Sequence, residues 1–207
     1  MDTPLIKHNF TGVVFDLDNT LVSSSLNFSE IRDVVGCPNN KDILSYIDSL
    51  PLEQKVIVKK VINEYEMADA QDAKFLPGAK EVLSLLRHLQ IPYAVVTRNN
   101  QRAAAIKINN NELEVPLLLT REHFKAKPAP DAVLFLSRYW KTPPTKLLCV
   151  GDYLYDIQMA NNANALSCLV SYGQALRYAN LASFVVNDLN ALSNMIAQLH
   201  GKKKYDT

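Results

Sequence analysis

The sequence has no excess of either charge: 22 Lys and Arg stand against 21 Asp and Glu in 207 residues, a formal net charge of +1. Without a basic surplus to displace counterions along a duplex, nucleic-acid binding has no electrostatic basis. No run approaches the roughly 20 apolar residues that a membrane helix needs, and residues 1–9 lack the apolar stretch of a signal peptide. No membrane association is therefore expected, and the chain is expected in the cytoplasm. Cysteine is scarce. Cys37, Cys149 and Cys168 are odd in number, widely spaced and without a C-x-x-C pair, so they read as small buried apolar residues rather than a disulfide frame or zinc site. No internal repeat is present, and nothing points to an obligate protein partner. The one charge run, Lys202-Lys203-Lys204, reads as a solvated tail. Balanced charge with 48 % hydrophobic residues excludes whole-chain disorder and gives enough apolar material for one domain, or one domain carrying an insertion.

Six short apolar runs predict strands: 12–16, 93–97, 116–120, 146–151, 166–170 and 183–186. They are apolar on consecutive residues rather than alternating, as in strands covered on both faces. Helical patterning lies between them. Val82, Leu85, Leu86 and Leu89 form a stripe behind Pro77, and further helices are predicted over 99–109, 131–140, 152–163 and 190–199. Alternation of this kind predicts an α/β fold with a doubly wound parallel sheet. Residues 22–74 break the pattern. They show only helical stripes, at Ile31, Val34 and Val35, then Ile43, Leu44 and Ile47, then a longer helix opening at Pro51. A core of residues 1–21 and 75–207 with a helical cap at 22–74 is expected, the cap lying at the sheet edge where open α/β folds bind ligands.

The residues with the most chemistry follow the first strand: Asp16-Leu17-Asp18-Asn19-Thr20-Leu21. Asp-x-Asp on extended backbone puts two carboxylates on one side, and such a pair needs a cation between its members or a shared proton. In isolation the pair also fits a turn or helix cap. A second acidic group follows the fourth strand, where Gly151-Asp152 is succeeded by Asp156, about one helical turn on. Taken singly, Asp152 also fits an N-cap and Asp156 a first-turn acid favoured by the helix dipole. Two acidic clusters with no His or Cys nearby are hard oxygen donors that suit magnesium rather than zinc. Phosphate chemistry at such a site needs donors and positive charge. Thr97 ends the second strand, and with the amides of Arg98 and Asn99 it makes an anion site at the start of the helix expected from Asn99; an ordinary N-cap is the alternative. Lys127 precedes Pro128-Ala129-Pro130, which delays the next helix to Asp131 and leaves the ammonium able to reach inward, or exposed on a loop. A dinucleotide site is disfavoured, because no G-x-G-x-x-G follows the first strand.

Strand–Asp16-x-Asp18, strand–Thr97, Lys127-Pro128 and Gly151-Asp152-x-x-x-Asp156, in that order, resemble the haloacid dehalogenase superfamily. The nearest pattern is its phosphoglycolate-phosphatase-like branch with a helical cap, and the likeness spans about residues 10–190. It implies a magnesium-dependent phosphatase acting on a small phosphorylated metabolite. In it Asp16 is the nucleophile and Asp18 the general acid and base. Asp16, the Asp18 carbonyl and Asp152 are the metal ligands, with Asp156 acting directly or through a water, and Thr97 and Lys127 clamp the phosphoryl oxygens. Asp18 argues against carbon–halogen hydrolysis, which has no use for an acid there. Arg98 departs from the family pattern: it either reaches a second anionic group of the substrate or, as the preferred reading, forms a surface or cap-facing salt bridge. Arg32, Asn39, Asn40, Lys41 and Tyr65 are candidate specificity residues in the cap, each reading first as solvent-facing. A phosphomutase of the β-phosphoglucomutase type, or a catalytically silent binding protein on the same fold, is the alternative.

Overall fold

A computed structural model describes residues 9–201; residues 1–8 of the expected leaderless start and the Lys202–Lys204 run lie outside it. Six parallel strands form one sheet in the order β3-β2-β1-β4-β5-β6: β1 (Gly12–Phe15), β2 (Tyr93–Val96), β3 (Leu118–Leu119), β4 (Leu147–Gly151), β5 (Leu166–Val170) and β6 (Phe184–Val186). Alternate strand residues feed two apolar cores. Val13, Phe15, Val95, Leu148 and Val150 face α4 (Ala79–His88), α5 (Gln101–Asn110) and α8 (Leu189–Gly201), whereas Val14, Ala94, Val96 and Cys149 face α6 (Asp131–Tyr139) and α7 (Leu154–Asn162). Both faces are covered, which is why the strands are apolar without alternation. All three cysteines are free and buried. No helix among the described residues is long and apolar enough to cross a membrane.

Between β1 and α4 the chain is helical, as α1 (Phe28–Val35), α2 (Ile43–Asp48) and α3 (Leu52–Asp72). These share an apolar cluster of their own, built from Ile31, Val35, Cys37, Ile43, Ile47 and Ile62. Each turn between them has a local cause. Asn27 and Asp42 cap α1 and α2 by accepting from the Glu30 and Ser45 amides, and Gly36 closes α1 in the left-handed region at φ 69°. Isolated bridges pair Val22 with Asp18 and with Phe75, so the chain leaves for these helices and returns from them side by side.

Some boundaries differ from the sequence expectation. The helix expected from Asn99 begins at Gln101 with Asn100 as its N-cap, because Asn99 spends its amide on the Thr97 hydroxyl oxygen (3.2 Å). The helix expected from Asp152 begins at Leu154 with Tyr153 as N-cap, so neither Thr97 nor Asp152 is a cap. The third strand shrinks to two residues at the sheet edge.

Candidate active site

Strand order reverses at β1, which lies between β2 and β4, and the crevice at the carboxyl ends of these strands is where open α/β sheets bind ligands. Register brings the acidic motifs together there. Phe15 pairs with Val150 in β4 and with Val95 in β2, and the Asp16 amide continues the ladder by donating to the Val150 carbonyl (2.8 Å). Asp16, Asp152 and Thr97 thus leave three adjacent strands at one level. Asn19, at φ 55°, turns the chain away directly behind Asp18. Gly151 is required for Asp156: a Cβ there would meet the Asp156 carboxyl carbon at 2.2 Å. The Asp156 carboxylate lies against the bare backbone and accepts from the Tyr153 amide (3.2 Å).

One carboxylate oxygen from each of Asp16, Asp152 and Asp156 lies within 4.8 Å of the other two. Lys127 joins this group as a buried cation, paired with Asp16 and with Asp156 (2.7 Å); the exposed-loop reading of Lys127 is wrong. Burial holds Asp152 and Asp156 above the ordinary carboxylate range; the Asp16 charge adds to this for both, and Lys127 opposes it. Lys127 is held above its usual value despite burial, by Asp156 and Asp16. One ammonium among three carboxylates leaves net negative charge in a buried place, and the donors are all hard oxygens. A magnesium-type ion fits this set on its chemistry. The Asp18 carboxylate stands outside the cluster.

Asp18 has a different set of partners, a separation the Asp-x-Asp spacing did not anticipate. Its carboxylate accepts from Lys107 Nζ (2.6 Å) and Asn99 Nδ2 (2.9 Å), so each member of the acidic pair has its own lysine rather than a shared cation. Burial pushes the Asp18 carboxyl up to about 6, against the pull of Lys107 and with a contribution from Asp16. Lys107 compensates it only in part because the same ammonium also pairs with Asp69 of α3 (2.6 Å). Thr97 lies beside this group with its oxygen accepting from both Asn99 nitrogens (3.2 Å each), which leaves its proton free to donate. The expected use of the Asn99 amide toward an anion is corrected: that amide is already spent.

Arg98 makes the cap-facing salt bridge, to Asp42 at the start of α2 (2.5 Å); it also donates to the Lys127 carbonyl and lies over the Tyr155 ring at 4.6 Å. Of the cap candidates, Arg32 borders the cavity over the site, whereas Asn39, Asn40 and Lys41 do not and Tyr65 bonds Glu30. Sequence reasoning missed a second polar layer. Glu66 of α3 accepts from the Asn100 amide (2.9 Å) and side chain (2.6 Å) and pairs with Arg121. Asp69 accepts from Ser24 and Ser25 as well as Lys107. The available signal was periodicity. Lys107 sits at helical spacing with buried Ala103 and Ala104, and Glu66 and Asp69 follow Ile62 on one face.

Residues 23–170 match the family model of haloacid dehalogenase-like hydrolases; the matched span begins after Asp16 and Asp18, so their assignment rests on the geometry above. A haloacid dehalogenase-like hydrolase domain-containing protein of Arabidopsis thaliana is 31 % identical over 79 % of this chain and 72 % of its own length. A phosphoglycolate phosphatase of Chromobacterium violaceum is 25 % identical, covering 92 % of this chain and 98 % of its own. Among solved structures, a hydrolase from Pseudomonas syringae superposes with a TM-score of 0.77 at 23 % identity, over 91 % of this chain and 98 % of that one.

Proposed function

The chain belongs to the haloacid dehalogenase-like hydrolases, in their phosphoglycolate-phosphatase-like branch, and from that premise we propose that it is a cytoplasmic, magnesium-dependent phosphomonoesterase acting on a small phosphorylated metabolite. The observation that carries this reading is the meeting of Asp16, Asp152, Asp156 and Lys127 at one sheet edge, with Asp18 alongside on separate partners. In the first displacement an Asp16 oxygen attacks phosphorus, the bond to the substrate's ester oxygen breaks, and Asp18 gives that oxygen its proton. In the second, water attacks phosphorus while Asp18 takes its proton, and the bond to Asp16 breaks to release phosphate. A carboxyl pushed up to about 6 suits a group that must hold a proton for half the cycle. Lys127 neutralises Asp16 and the transferred oxyanion, and the Thr97 hydroxyl donates to it. Asp16, Asp152, Asp156 and the Asp18 carbonyl would hold magnesium, which when bound supplies the charge that offsets repulsion between these carboxylates and a phosphate dianion.

The test is release of free phosphate from p-nitrophenyl phosphate, present with magnesium and abolished by chelation. Return of the phosphoryl group to a second sugar hydroxyl, without free phosphate, would favour the mutase, and inactivity on every ester the binding protein.

A stability measurement checks the charge reading separately. Asp18, Asp152 and Asp156 bind protons in the folded state that the unfolded chain, with carboxyl pKa values of about 3.9, has already lost. The folded state therefore holds more protons, and the stability contributed by these groups falls as pH rises from about 4 to about 8. Thermal melts of chelated protein should show Tm dropping across that window, and magnesium should flatten the drop. A Tm that rises steadily with pH in chelator would contradict the assignment.

A further inference from the structure

The cavity over the acidic cluster encloses about 420 Å³, inside the range of small-molecule sites, about 300–1,000 Å³. Its two ends differ in chemistry. The sheet end carries Asp16, Asp18, Thr97, Lys127, Asp152 and Asp156; the opposite wall carries Leu26, Phe28, Ile31, Ile43, Leu44 and Ile62 from residues 22–74. Two aromatic rings lining the cavity are exposed, Phe28 by 58 % and Tyr153 by 52 %, one from α1 and one beside Asp152.

From this we infer that the alcohol part of the substrate is an aromatic or similarly flat hydrocarbon group, not a sugar or a glycerol. The inference rests on the phosphatase reading and adds the substrate class. Four charged groups bordering the cavity are already bonded to the protein. Asp42 accepts from the Ser45 amide (3.0 Å) and hydroxyl (3.1 Å) and from Arg98. Glu66 is filled by Asn100 and Arg121, Arg98 by Asp42 and the Lys127 carbonyl, and Arg32 bonds the Pro38 (3.2 Å) and Lys41 (2.5 Å) carbonyls of its own turn. A sugar hydroxyl entering here gives up water and meets charged groups that already have partners, which disfavours polar esters. A hydrocarbon ring instead covers the exposed rings of Phe28 and Tyr153.

The experiment compares 2-naphthylmethyl phosphate and benzyl phosphate with glycerol 3-phosphate, glucose 6-phosphate and phosphoglycolate, with magnesium throughout. The first two are alkyl esters, so leaving-group reactivity does not favour them as it does phenyl esters. Turnover is measured as kcat/KM on the wild type and affinity by calorimetry on Asp16→Asn. The expected result is an advantage of tenfold or more for the naphthylmethyl ester in both readouts, with Phe28→Ser cutting that advantage at least threefold. If any of the three polar esters equals or exceeds it, the substrate class is overturned while hydrolysis stands. If no ester releases phosphate, the phosphatase reading fails, and the affinity ranking alone decides whether the chamber selects hydrocarbon.

Discussion

An Asp16→Asn variant should fold normally and lose at least about 10⁴-fold in turnover, in the range of removing a nucleophile elsewhere. The amide has the shape of the carboxylate but no charge and no basic oxygen to attack phosphorus. Asp16 is only 10 % exposed at its side chain, yet its loss should not destabilise metal-free protein at neutral pH. Its charge is one of those pushing Asp152, Asp156 and Asp18 upward, and removing it relieves repulsion, while Lys127 keeps Asp156 as a partner. The variant is thus expected to combine lost activity with an unchanged or higher Tm in chelator. Phosphate-release kinetics and melts on one preparation check both halves; equal activity in variant and wild type would remove Asp16 from the mechanism.

The largest stability effect is expected from Lys107→Met. Lys107 is fully buried, and its ammonium lies 2.6 Å from both Asp18 and Asp69. Methionine keeps the length and flexibility of the stem but strands two carboxylates, and losing one partner of a buried pair costs about 3–5 kcal/mol. For a chain of this size about 2–4 °C accompanies each kcal/mol, so Tm should fall by roughly 6–20 °C. The cost should be larger at pH 8 than at pH 5, because the stranded carboxyls relieve it by taking up protons at the lower pH. Adding Asp69→Asn should recover part of the loss, since that carboxylate is the more buried of the two. A loss below about 1 kcal/mol at pH 8, read by denaturant titration, would contradict this account of the pair.

Lys107 also shows where sequence reading stopped. The sheet was legible because strands covered on both faces are apolar residue after residue, as Val13 to Phe15 and Leu147 to Val150 are. The acidic motifs were legible because each follows a strand, and Lys127 because it directly precedes a proline-held loop. What carries them to one point is register between β1 and β4, which depends on contacts far apart in the chain. The layer behind them was hidden for another reason. Lys107, Glu66 and Asp69 lie on helix faces that look amphipathic, and a charge there reads as surface unless its partner on another helix is known. Asn99 and Asn100 were assigned to a helix that starts later, because Asn99 turns its amide back to Thr97 and its side chain to Asp18. For Arg98 a charge and a location were enough to suggest a salt bridge, and it pairs with Asp42.

The polar layer has a consequence for how residues 22–74 sit. Asp69 binds Ser24 and Ser25 where the chain leaves the sheet, and the same Asp69 is tied through Lys107 to Asp18. One ammonium therefore ties α3 to the Asp18 carboxyl.

The account stands most directly on the chemistry of one side chain. Protein mixed with p-nitrophenyl phosphate and magnesium, quenched during turnover and reduced with borohydride, should yield a peptide in which residue 16 has become homoserine, the product of a reduced acyl phosphate. No such peptide should form without substrate. Reduction at Asp18 or Asp152 in place of Asp16, or none at any aspartate while phosphate is being released, would contradict it.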